Sequence, residues 1–158
     1  MDMSNDSNKL LSFLKKHFGN HHNFSADDYI HAYGTEADAL LYSVLFFPDL
    51  LEIENSVFLK RTIINEQAIQ QEILESHRSL SEIEKRYNFV EVGYLFDCNG
   101  RNGNDDDELF LAHKIQTGWF GWLKIKYPSR DFCVEILTPE QTGSTVGVQF
   151  FELRFEKM

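Results

Sequence analysis

Asp97-Cys98-Asn99-Gly100-Arg101-Asn102-Gly103-Asn104-Asp105-Asp106-Asp107-Glu108 runs straight into Leu109-Phe110-Leu111-Ala112-His113-Lys114-Ile115-Gln116-Thr117-Gly118-Trp119-Phe120-Gly121-Trp122-Leu123, and the fold turns on how that junction is read. The polar half resembles a cation loop, yet its last four residues also suit a helix start. Carboxylates are stabilised at a helix N-terminus, where unpaired N–H groups carry partial positive charge. Asp105 with Glu108 three residues later has the spacing of a capping box. Leu109, Ala112, Ile115, Trp119, Trp122 and Leu123 then recur at helical intervals, so a helix running to just before Pro128 is expected. Gly118 and Gly121 cost such a helix about 1 kcal/mol each unless another backbone packs closely against them.

A calcium loop needs oxygen ligands at positions 1, 3, 5, 7, 9 and 12, with glycine at 6. Counting from Asp97, Asn99 takes position 3, Asp105 position 9 and Glu108 position 12, but Arg101 at 5 and Asn102 at 6 break the pattern. The capped helix is the favoured reading. Asp97, Asn99, Asp105 and Glu108 are the ligands that the metal alternative would use, and no cofactor is expected.

Upstream of this junction, residues 1–47 read as helices. Asp6 or Ser7 caps a helix carrying Leu10, Leu11, Leu14 and Phe18, with Gly19 as its stop. Ser25 with Asp28, then Thr35 with Asp38, mark two further starts. Leu51 and Ile53 alternate with Glu52, and Val57 and Leu59 answer them across Glu54-Asn55-Ser56 as a hairpin. Residues 62–87 read as helix, with Ser79 or Ser81 able to divide it; a coiled coil there would put Ser76 on its seam. Residues 89–97 alternate as a strand with Val90, Val92, Tyr94 and Phe96 on one face.

Downstream, Phe132, Val134 and Ile136 form a strand, residues 139–144 turn the chain, and Val146, Val148 and Phe150 return it. Phe151, Leu153 and Phe155 fall on the opposite parity, which requires a bulge or a strand covered on both faces. The expected fold is one α+β domain over 1–158. Residues 1–47 are its helical part and 48–158 its mixed part, built on an antiparallel sheet of about five strands with helices mainly on one face.

The 158 residues are 42 % apolar and include fourteen Phe, enough for a real core. Cys98 and Cys133 are too few for a disulfide framework. The polar, acidic start from Met1 to Asp6 is unlike a secretion signal, and no apolar run is long enough to span a bilayer, so a cytoplasmic location without membrane contact is expected. The formal charge of −10 repels phosphate backbones and argues against nucleic acid. A basic protein is its natural partner.

His17, His21, His22 and His31, with Asp27 and Asp28, offer a second candidate metal segment, although Gly19, Asn20 and Asn23 make its middle a loop. Cys98 with His113 could supply a nucleophile and a base, without any local signature for thiol activation. Gly100 and Gly103 lack the further glycine and the lysine of a phosphate loop. Phe110 and Phe120, read as close in azimuth and off the Trp-bearing face, form a candidate binding patch if they do not pack on the N-terminal helices. The expected function is therefore protein binding by an adaptor, inhibitor or immunity-type protein. The alternative is a metal-dependent enzyme or small-molecule binder using residues 97–108 or 17–31.

Overall fold

A computed structural model describes residues 12, 14–16, 25–96 and 104–154. The fold is α+β, and the chain forms two compact units, residues 1–42 and 43–158. In the first unit, residues 12 and 14–16 are helical, followed by α1 (Ala26–Tyr33) and the greater part of α2 (Glu36–Phe46). Both expected starts are present. The Ser25 hydroxyl accepts the Asp28 N–H at 3.1 Å while the Asp28 carboxylate accepts the Ser25 N–H at 2.9 Å, and Thr35 Oγ1 accepts the Asp38 N–H at 3.0 Å. The expected cap at Asp6 or Ser7 and the stop at Gly19 lie outside the described residues.

The second unit continues with a hairpin, β1 (Leu50–Ile53) and β2 (Ser56–Leu59), paired Leu50 to Leu59 and Ile53 to Ser56. Glu54 and Asn55 both take positive φ, 48° and 62°, as a two-residue turn of the right twist requires. A 3-10 turn at Lys60–Thr62 leads to α3 (Glu66–Glu75), capped by Asn65, and α4 (Leu80–Tyr87), capped by Ser79 and Glu82. The expected helix over 62–87 is thus divided at Ser79, one of the two serines expected to do so.

Then come β3 (Phe89–Glu91), a 3-10 turn at Val92–Tyr94, α5 (Asp105–Lys126), β4 (Phe132–Leu137), the short α6 (Pro139–Thr142) and β5 (Gly147–Glu152). The expected strand over 89–97 stops after three residues. Val90 and Val92 are buried as the alternation requires, but the backbone winds at Val92 and leaves Tyr94 exposed.

Five strands are present among the described residues, as expected, but they form two antiparallel sheets, β1-β2 and β3-β5-β4. Side chains cause the division. The outer edge of β2 is met by α4 instead of a strand: Asn88 Oδ1 accepts the Leu59 N–H, Asn88 Nδ2 donates to the Val57 carbonyl, both at 2.8 Å, and Glu84 Oε1 accepts the Val57 N–H at 3.3 Å. These groups satisfy that edge as a neighbouring strand would. Glu84 is fully buried, and its other oxygen accepts the Glu152 N–H and Arg154 Nη1, each at 2.9 Å. One carboxylate therefore ties hairpin, helix and central strand together.

β5 lies between β3 and β4, which explains the parity slip in its sequence. Gly147 to Phe150 are buried on both faces. Phe150 meets Trp119 of α5 edge-on, with ring centroids 5.8 Å apart, while on the opposite face Lys85 of α4 stands 4.1 Å from the Phe151 ring. Two cores result. Val57, Leu59, Val92, Ile115, Trp119, Leu123, Val148 and Phe150 belong to the larger, and Ile53, Phe58, Ile69 and Ile83 to the smaller. β2 alternates between them, so none of its four residues reaches solvent.

Candidate functional site

Helix α5 carries most of the candidate residues. Its expected cap is corrected by one position. Asn104, not Asp105, accepts the first-turn N–H: its Oδ1 takes the Asp107 N–H at 3.0 Å, and the Asp107 carboxylate takes the Asn104 N–H at 3.0 Å. Asparagine offers the short side-chain oxygen that the capping geometry needs, so Asp105 is already inside the helix. Asp105 to Glu108 form its first turn, where the helix dipole favours negative charge.

Asp97 and Asn99 of the candidate metal site lie outside the described residues, as do Cys98, His17, His21 and His22. His31 closes α1, where a cation is favourable. Among the described residues no three His, Cys, Asp or Glu side chains converge closely enough to hold a metal ion. His113 Nδ1 is buried and has no hydrogen-bond partner. Burial, then the Glu135 charge, push the Cys133 thiol up and disfavour its thiolate.

The tryptophans are structural. Trp119 donates Nε1–H to the Leu45 carbonyl at 2.8 Å, and Trp122 donates to the Pro48 carbonyl at 3.0 Å. These bonds clamp residues 45–48 onto α5. Gly118 permits the approach: a Cβ there would stand 2.9 Å from the Phe46 carbonyl oxygen, whereas at Gly121 it would meet nothing within 4 Å.

Phe110 and Phe120 do not share a stripe, which corrects the expectation that they lie close in azimuth. Ten residues at about 100° each leave them about 80° apart around the helix and about 15 Å apart along it. Phe110 is half-buried, with Lys114 Nζ 4.9 Å from its ring centroid. Phe120 is 49 % exposed. Its true neighbours are Leu109, His113 and Gln116, which precede it by eleven, seven and four residues on one flank of α5. Leu109 on that flank is 38 % exposed.

The opposite flank presents a second apolar surface. Phe47, 53 % exposed, meets Trp122 edge-on at 5.7 Å, and Ile125 nearby in the helix is 72 % exposed. Lys126 Nζ lies 4.6 Å from the Trp122 ring centroid at its border. The sequence offers Phe120, and likewise Phe46-Phe47 before Pro48, as either exposed or packed, with packing the favoured reading, and it does not single out Ile125. Ile125 sits where the helical period has drifted off the buried face.

No helix among the described residues is long and apolar enough to cross a membrane. No family model matches the chain, and comparison with curated proteins and with solved structures finds no match in either.

Proposed function

We propose that this acidic chain works by binding another protein of basic character, as an adaptor, inhibitor or immunity-type protein does. One observation carries the reading: large apolar side chains stand in solvent on both flanks of α5, in a chain of net charge −10. Exposed aromatic and aliphatic residues supply the desolvated centre of an interface, and long-range charge speeds the encounter with a partner of opposite sign. A cytoplasmic setting belongs to the same proposal.

Affinity capture with the intact chain tests it, in parallel with Phe120→Ser and with a Phe47→Ser/Ile125→Ser pair. The reading expects a basic protein whose recovery falls with at least one of these variants and whose affinity drops steadily with added salt. Equal recovery by all three baits, or affinity indifferent to salt, would count against it.

A further inference from the structure

The hydrogen-bonding phase of β4 defines a surface that neither charge nor hydropathy reveals. The Leu153 N–H donates to the Asp131 carbonyl at 2.8 Å, so Asp131 and Leu153 face each other as a bonded pair. Antiparallel alternation then turns Cys133, Glu135 and Leu137 toward β5, and turns the backbone groups of Phe132, Val134 and Ile136 away from it. Gln116 Nε2 confirms this phase by donating to the Val134 carbonyl at 2.8 Å from outside the sheet. Among the described residues, the N–H groups of Val134 and Ile136 have no partner.

The sheet edges are treated unequally. β2 is sealed by Glu84 and Asn88, and β3 offers only three residues. β4 is six residues long, Phe-Cys-Val-Glu-Ile-Leu, with no lysine and no proline to deter pairing. Its one charged side chain, Glu135, is turned to the opposite face, where it accepts from Gln149 and pairs with Lys85. The flank of α5 that bears Leu109, Gln116 and Phe120 stands beside this edge, which no other strand covers among the described residues, as the Gln116 bond to the Val134 carbonyl requires.

We propose that β4 is a strand-addition site, which takes an extended segment of the basic partner inferred above as a fourth strand beside α5. This rests on the protein-binding reading and narrows it. An extended backbone is the ligand that presents donors and acceptors at the spacing of Val134 and Ile136. Alternate side chains of the added strand fall under Phe120 and Leu109. The net charge selects a cationic segment over a second copy of this acidic chain.

The test selects random twelve-residue linear peptides on the intact chain and synthesises those recovered. Expected are peptides with apolar residues at alternate positions and with lysine or arginine between them. They should slow amide exchange at Val134 and Ile136 and bind Val134→Pro at least tenfold more weakly. Proline at an outward-facing position of an edge strand is compatible with the sheet. Should that variant fail to fold, N-methylation of alternate peptide residues gives the same comparison on the unaltered chain, again with a loss of at least tenfold.

Peptides indifferent to both changes would overturn the proposal, as would failure to recover any. Peptides that lose affinity only with Phe47→Ser or Ile125→Ser would overturn strand addition while leaving the protein-binding reading intact. Protection of the β4 amides that grows with protein concentration, without peptide, would make the occupant a second copy and overturn the proposal equally.

Discussion

Asn88→Ala tests the side-chain seal on β2 most directly. The amide of Asn88 makes two bonds of 2.8 Å, one to the Leu59 N–H and one to the Val57 carbonyl, and all three residues are fully buried. Alanine leaves one donor and one acceptor unpaired, at about 1–3 kcal/mol for each. A loss of about 3 kcal/mol follows, against a total stability of about 5–15 kcal/mol for a domain. Urea unfolding followed by tryptophan fluorescence measures it, since Trp119 sits in the larger core that β2 also enters. Amide exchange at Leu59 should accelerate in parallel.

Asn88→Asp refines the test. Its carboxylate still accepts from Leu59 but sets an oxygen against the Val57 carbonyl, while its protonated form can donate there. The folded-state pKa is therefore raised, so stability is present at low pH and is lost as pH rises through that value. A loss below about 1 kcal/mol for alanine, or an aspartate variant with the same pH profile as the parent, would refute the idea that these bonds hold the edge.

The two glycines of α5 should respond with opposite signs. Gly121→Ala meets open space and should stabilise by about 0.5–1 kcal/mol, whereas Gly118→Ala drives a methyl into the Phe46 backbone and should cost about 1–3 kcal/mol; urea midpoints decide. The Glu72 carboxylate accepts the Tyr87 hydroxyl at 2.8 Å, and that bond, with Arg86 and Arg78 beyond it, holds Glu72 below the usual carboxylate range. A depressed folded pKa means stability present at neutral pH and lost as pH falls through it, so Tyr87→Phe should raise the Glu72 pKa in an NMR titration and shrink the acid-side loss. The same bond pushes the Tyr87 phenol up, so its contribution persists below the ordinary tyrosine range and disappears as pH rises through the shifted value. Calcium, magnesium, zinc and EDTA should leave the melting temperature unchanged; a rise with any one ion would revive the reading of residues 97–108 or 17–31 as a cation site.

The elements legible in the sequence were those written in local chemistry. Ser25 with Asp28 and Thr35 with Asp38 each announce a helix start, Ser79 or Ser81 marks a possible break in 62–87, and the Trp-bearing face of α5 announces its buried side. What could not be read depended on distant partners. Glu84 sits in Leu-Ser-Glu-Ile-Glu-Lys-Arg-Tyr, where nothing local separates it from the exposed Glu82, yet it is buried because Arg154 and two backbone N–H groups converge on it. The split into two sheets was hidden for the same reason, since an amide side chain can finish a strand edge without leaving a strand in the sequence. On α5, Phe120 stood out by its period; Leu109 joins it only through the eleven-residue stripe, and which backbone groups of β4 turn away from β5 emerges only from the phase of its ladder.

The dependence of the hairpin on remote groups bears on how a nascent chain acquires this shape. Arg130 donates to the Asn55 carbonyl at the tip, 75 positions behind it, and Arg154 reaches Glu84 across 70. While the ribosome is still adding those residues, β1 and β2 have only their own turn and the neighbouring helices α3 and α4 to hold them, and two strands alone are marginal in water. Closing such long loops is slow, so the hairpin tip should gain its full resistance to protease only once Arg130 and Arg154 have been added.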